Sequence, residues 1–209
     1  MRTTTLSIHA GLAGSSRLPS LVRKPDHLYA ADMLLLLSAG VTAALATALL
    51  DLGLRIPGHA IIRAVFPMSL GLALAPRRMG GMVMGASAFG SALVIHGGGL
   101  TAIGLGAMTS LTLTGPFLDL ALWRARRGWR LYLGFGLAGL GSNLAALVVR
   151  GLTKLAGLDP ALARPFAAWW LPAIGTYALC GALAGLISAL VWFRFDAGSR
   201  GDANTEPAS

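Results

Sequence analysis

Residues 31–50 read Ala-Asp-Met-Leu-Leu-Leu-Leu-Ser-Ala-Gly-Val-Thr-Ala-Ala-Leu-Ala-Thr-Ala-Leu-Leu, twenty positions with one charge, Asp32, near the leading end. About 20 apolar residues in a helix rising 1.5 Å per residue cross a hydrocarbon core about 30 Å thick. The stretch has the length of a transmembrane span, and Asp51 and the turn Arg55-Ile56-Pro57-Gly58 end it. Five more apolar runs follow. The second covers about 60–75, is interrupted by Arg63 and Pro67, and stops at Pro76-Arg77-Arg78. The third runs over 79–95 to His96-Gly97-Gly98-Gly99, and the fourth over 103–122 to the basic run Arg124, Arg126, Arg127 and Arg130. The fifth covers 131–149. After a polar connection with Lys154, Asp159-Pro160 and Arg164-Pro165, the sixth runs over 166–193.

Composition agrees with this segmentation. The chain is 55% hydrophobic and 12% charged over 209 residues, with a mean hydropathy of +0.69, where soluble domains carry about 25% charged residues. The sequence therefore predicts an all-α integral membrane bundle of six transmembrane helices within residues 28–194. A basic arm, 1–27, and a polar tail, 195–209, flank it and are expected to be disordered. An organellar transit peptide is the competing reading of the arm. The net charge of +9 does not indicate nucleic acid, because the Lys and Arg residues lie between apolar runs and not on one soluble face. Cys180 is the single cysteine, so no intrachain disulfide forms.

Positive charge near span ends is retained in the cytoplasm. With the N-terminus inside, twelve of the seventeen Lys and Arg fall on inner segments and four on outer loops, with Arg63 inside a span. The bias alternates at every crossing, which requires an even number of spans and places both termini inside. A bacterial inner membrane is the expected location.

That orientation gathers the polar residues at membrane depth. Such groups are costly unless they meet a partner or a cavity. His59 and Arg63 fall at the outer end of the second span, His96 at the outer end of the third, Asn143 in the outer half of the fifth, and Tyr177 in the outer half of the sixth below Trp169 and Trp170. His59, Arg63, His96, Asn143 and Tyr177 are the candidate solute-binding residues, and an arginine among them suits a carboxylate or phosphate. The competing assignment lets Arg63 snorkel to the interface or pair with Asp51, and makes the tryptophans an interfacial belt. Asp119, near the arginine run, is expected to form a salt bridge with Arg124 or Arg126. Thr109, Ser110, Thr112 and Thr114 are expected to bond back to their own helix.

Small residues recur four apart at Gly40, Ala44 and Ala48, at Gly81 and Gly85, and at Gly181 and Gly185. Such rows let helix backbones approach, either inside the bundle or against a partner subunit. Gly40, Ala44, Ala48, Gly81 and Gly85 are the candidate docking residues.

Enzyme motifs are not assembled. His96-Gly97-Gly98-Gly99 lacks a Gly-x-Ser-x-Gly elbow, and Ser87 in Gly85-Ala86-Ser87 lacks a histidine on the sixth span to serve as base. No phosphate-binding loop or His-Glu-x-x-His motif occurs, and four histidines give no metal-ligand spacing. No enzyme activity, metal or cofactor is expected.

The stretch Leu70 to Gly85, Leu-Gly-Leu-Ala-Leu-Ala-Pro-Arg-Arg-Met-Gly-Gly-Met-Val-Met-Gly, resembles the turn between the second and third spans of substrate-binding S components of energy-coupling-factor transporters, the biotin type in particular. The resemblance covers roughly residues 30 to 120 and does not transfer binding residues one by one. It implies a capture subunit for a small, vitamin-like solute, an anion if Arg63 lines the site. Such a subunit would dock to a transmembrane coupling subunit driven by cytoplasmic ATPases. The alternative from another class is a non-transporting scaffold or assembly protein that docks partner helices through its Gly/Ala faces and meets anionic lipid through its basic side.

Overall fold

The structure, a computed structural model, describes residues 26–50, 57–75, 77, 79–97, 104–124, 129–157 and 166–193. Residues 1–25 of the N-terminal arm, the polar tail, Asp51, Arg55, Arg78, Arg126, Arg127, Arg164 and the side chain of Trp169 lie outside the described part. Within it the chain is helical throughout. The helices are α1 (Asp26–Leu49), α2 (Ile62–Leu74), α3 (Gly80–Ile95), α4 (Leu105–Arg124), α5 (Trp129–Leu155) and α6 (Phe166–Trp192), with a 3-10 turn, His59–Ile61, leading into α2. The six-helix bundle expected from the apolar runs is present.

Four helices, α1, α4, α5 and α6, are long and apolar enough to cross a membrane. The other two stretches, His59–Leu74 and Gly80–Ile95, are shorter apolar helices, each spanning about 24 Å at 1.5 Å per residue. Their ends explain the shortness. Gly58 enters the turn at φ 85, Met79 precedes α3 at φ 63, and Gly97 follows it at φ 63, so left-handed residues stop the helical run on both sides.

Three details differ from the sequence reading. Helix α1 begins at Asp26, inside the segment assigned to the arm. Helix α5 runs six residues past Val149, to Leu155, which puts Lys154 on a helix and not in a connection. Arg63 and Pro67 do not interrupt α2. Pro67 lacks an N–H, so the carbonyl that loses its partner is that of Arg63, in the first turn, and the helix continues beyond it.

Neighbouring helices follow the order α1, α3, α4, α5, α6, α2 and back to α1. Helix α2 closes the ring between α1 and α6 and also touches α4 across it. Leu36, Met68, Leu72, Met84, Leu118, Leu131 and Phe135 form a continuous buried core. Outward-facing Leu34, Leu137, Leu179 and Leu190 are more than half exposed, as residues bathed by lipid chains would be. Closest approach occurs at glycines. A Cβ at Gly115 on α4 would stand 1.9 Å from the Gly81 carbonyl oxygen on α3, and one at Gly139 on α5 would stand 2.3 Å from that of Gly181 on α6. Only hydrogen fits there, which allows the backbone-on-backbone packing that replaces hydrophobic driving force in a membrane.

The candidate docking rows meet helices of the same chain. Gly40 packs on Met84, Ser87 and Ala88 of α3, Gly81 on Gly115 and Asp119, and Gly85 on Thr112 and Pro116. Ser87 adds to the α1–α3 seam by donating to the Leu37 carbonyl at 2.8 Å. The threonines and serine of α4 bond back as expected, Thr109 to Leu105, Ser110 to Ala107, Thr112 to Met108 and Thr114 to Ser110. Thr114 also meets the Ser142 hydroxyl of α5 at 2.8 Å.

Candidate functional site

A cavity of about 240 Å³ lies among α1, α2, α3 and α4, lined by Ala44, Thr47, Ala48, Arg63, Ala92, His96, Ala107 and Leu111. The four alanines make the room, since each replaces a larger side chain at a level where four helices converge. Two of them, Ala44 and Ala48, belong to the row that begins at Gly40. That row therefore divides, its first residue packing on α3 and its other two forming a cavity wall.

Arg63 enters from the first turn of α2. Its Nη1 donates to the Thr47 carbonyl at 3.3 Å and to the Leu50 carbonyl. Both oxygens lie at the C-terminal end of α1, where the last turn of a helix leaves carbonyls without intrahelical partners and carries partial negative charge. The cation thus closes one helix from another. Its expected alternative partner, Asp51, lies outside the described residues. Nε of the same guanidinium is buried without a hydrogen-bond partner among the described residues, and a buried donor left unmet costs about 1–3 kcal/mol.

His96 ends α3 at the cavity's rim. Its Nδ1 lies 3.1 Å from the Ala92 carbonyl oxygen. A carbonyl only accepts, so Nδ1 carries the hydrogen, and Nε2 remains as an acceptor in the neutral ring or a second donor in the charged one.

Asn143 and Tyr177 form a second group. Asn143 is 3% exposed, and its Nδ2 donates to the Gly58 carbonyl at 3.1 Å and the Tyr177 carbonyl at 2.7 Å. One amide thereby joins α5, α6 and the turn that starts α2. Gly58 is required there twice over: its φ is positive, and a Cβ would lie 3.0 Å from both Asn143 and Tyr177. The Tyr177 hydroxyl accepts from Arg150 Nη1 at 3.1 Å. His59 stands at the start of the turn so held, and Arg63 follows one turn later. Trp170 packs over Gly151, where a Cβ would lie 2.6 Å from the indole.

The structure thus brings Arg63 and His96 together at one cavity, while His59, Asn143 and Tyr177 are not among its lining residues, Asn143 and Tyr177 meeting each other and Gly58. These two fix the entry to α2 and with it the direction from which Arg63 arrives. Residues not singled out by sequence are the wall positions Thr47, Ala92, Ala107 and Leu111, whose only sequence signal is small or ordinary apolar character at the level of Arg63.

Of the two partners expected for Asp119, Arg126 lies outside the described residues and no pair with Arg124 is formed. Asp119 Oδ1 accepts from the Gly81 N–H at 2.8 Å and its Oδ2 from the Met82 N–H at 2.9 Å, capping the N-terminus of α3 from α4. Free N–H groups and the positive helix end favour a carboxylate there. At the same end of the bundle Arg77 Nε meets Asp32 Oδ2 at 2.6 Å and ties the α2–α3 turn to α1. Among the described residues no group of three His, Cys, Asp or Glu side chains converges to hold a metal.

Compared with protein-family models, curated proteins and solved structures, the chain matches none.

Proposed function

We propose that this protein is the membrane-embedded capture subunit of an uptake system for a small solute, of the energy-coupling-factor type that Leu70 to Gly85 resembles. The carrying observation is the cavity among α1 to α4, where Arg63, His96 and Thr47 stand beside four alanines and Leu111. Binding sites for small molecules are concave and mostly apolar, with a few placed polar groups that fix orientation. The bundle would cross the bilayer six times with both ends inside, α2 and α3 being enclosed enough by their neighbours to serve as short spans. The charge distribution then puts the cavity toward the outside. In this reading the solute enters there, and the handover inward depends on a transmembrane coupling subunit with cytoplasmic ATPases. The membrane would be the bacterial inner membrane.

The scaffold alternative draws less support. The glycine rows it would use are covered by the chain's own helices, and it gives no account of the alanine-walled space beside Arg63.

Native mass spectrometry of protein purified from its own membranes tests the proposal. Wild type should retain a small molecule, and Ala107→Phe, which places a ring in the cavity from a half-buried wall position, should release it while the melting temperature stays close to wild type. A wild-type protein free of any such molecule, with lipids that compete for none of the lining residues, would count against capture.

A further inference from the structure

We infer that the elbow between α4 and α5 holds an anionic phospholipid of the cytoplasmic leaflet, its phosphate on Arg124 and Arg130 and its acyl chains along the exposed leucines deeper on both helices. This goes beyond the capture reading. It rests on the orientation that the charge distribution gives and needs no solute in the cavity.

The elbow lacks acid of its own. The sequence holds no Asp or Glu between Asp119 and Asp159, and the same interval contains Arg124, Arg126, Arg127 and Arg130. Arg126 and Arg127 lie outside the described residues, and the site is assigned to Arg124 and Arg130 alone. The two acids whose side chains are described at this end of the bundle are already engaged, Asp119 by the N–H groups of Gly81 and Met82 and Asp32 by Arg77. Among the described residues neither Arg124 nor Arg130 pairs with a carboxylate, and both are exposed. Two guanidinium groups without an internal counter-ion favour an external anion, and the planar fork of each matches phosphate oxygens bidentately.

What surrounds the arginines selects a lipid. Trp123 is 66% exposed and Trp129 67%, and indole rings settle at headgroup depth. The Arg130 guanidinium carbon lies 5.9 Å from the centre of the Trp129 ring, a cation–π contact that uses the face of the cation and leaves its in-plane N–H donors for an anion. Deeper along both helices the exposed side chains are leucines. Leu133 and Leu137 follow Trp129 at four-residue steps, so all three share one face of α5, and Leu120 precedes Arg124 by the same step on α4. A free phosphate would use the arginines and leave this apolar surface idle. An amphiphile uses both levels. Anionic phospholipids enrich the cytoplasmic leaflet, the side on which the orientation puts this elbow.

The test is native mass spectrometry of the purified full-length protein in detergent, titrated with equal amounts of phosphatidylglycerol and phosphatidylcholine that carry the same acyl chains. Each arginine near a membrane surface contributes about a fivefold preference for anionic lipid, so wild type should retain phosphatidylglycerol over phosphatidylcholine by at least about tenfold. Arg124→Gln/Arg130→Gln should bring the two lipids close to parity while the melting temperature stays near wild type, since both side chains are exposed. Lys154→Gln, which removes a charge from the far end of α5, should leave the preference as it is. Glycerol 3-phosphate, a headgroup phosphate without chains, should not displace the lipid at equal concentration. Equal retention of the two lipids by wild type, an undiminished preference in the double variant, or its loss in Lys154→Gln would overturn the site. Displacement by glycerol 3-phosphate would reassign it to free phosphate. The capture reading is scored separately, by a retained solute at its own mass and its release by Ala107→Phe.

Discussion

Asp119 and Arg63 each stand on one helix and close the end of another. Asp119 meets two N–H groups at the start of α3, and Arg63 meets two carbonyls at the end of α1. Each charge satisfies backbone groups that a helix end leaves without intrahelical partners. Asp119→Ala should destabilise the protein by about 1–2 kcal/mol, the usual cost of a lost N-cap. That corresponds to a melting temperature lower by roughly 2–8 °C for a chain of this size, measured by thermal unfolding in detergent. Asn143→Leu removes the donor shared by the Gly58 and Tyr177 carbonyls and should cost about 1–3 kcal/mol for the groups left unmet. It should also weaken solute binding, because the turn that aims Arg63 loses its anchor. Unchanged melting and unchanged binding would show that the amide does not position α2. The sequence made Arg63, His96 and Asn143 conspicuous as expensive polar residues at one level. It could not say which of them face a space and which tie backbone together. The capping role of Asp119 was hidden for a related reason: its partners at α3 are backbone N–H groups, which leave no trace in side-chain identity, whereas the nearby arginines are plain to see.

At the scale of helices, packing rests on where side chains are missing. The α3–α4 and α5–α6 seams bring glycine backbone onto glycine backbone, Gly81 with Gly115 and Gly139 with Gly181. Gly115→Ala would drive a methyl group into the Gly81 carbonyl, with an expected cost of about 1–3 kcal/mol or more from overpacking. Gly90 on α3 has open space around its Cβ position, so Gly90→Ala should be neutral or stabilising by up to about 1 kcal/mol, the helix-propensity gain. Thermal melts of the two variants side by side check the pair, and equal effects would contradict the assigned seams. The spacing of Gly81 with Gly85 and of Gly181 with Gly185 was legible as packing faces. Their partners were not, since Gly115 and Gly139 belong to no conspicuous row on their own helices. The row from Gly40 to Ala48 could not reveal its division between seam and cavity wall, because glycine and alanine look alike as small residues until neighbouring helices are in place.

For the molecule as a whole, hydropathy and charge carried most of the architecture. Six apolar runs became six helices, four of them of full spanning length, and helix ends moved by a few residues where left-handed glycines or local capping decided them. The cavity was not legible as a cavity, since it depends on α1, α2, α3 and α4 converging with alanines at one level. What the charge distribution adds is a direction: the Arg63 and His96 end should face outward and the Asp119, Asp32 and Arg77 end inward. The exposed Trp123 and Trp129, which flank the arginine run between α4 and α5, suit the inner membrane interface, where indole rings settle at headgroup level. The most direct test of this account is thiol labelling of the cavity wall from each side of the membrane. With Cys180→Ala removing the native thiol, Thr47→Cys places a single cysteine on the wall, and a membrane-impermeant maleimide is applied to intact cells and to inverted vesicles. The account predicts labelling in intact cells and none in inverted vesicles. Labelling only in inverted vesicles, or in neither preparation, would contradict an outward-opening solute site.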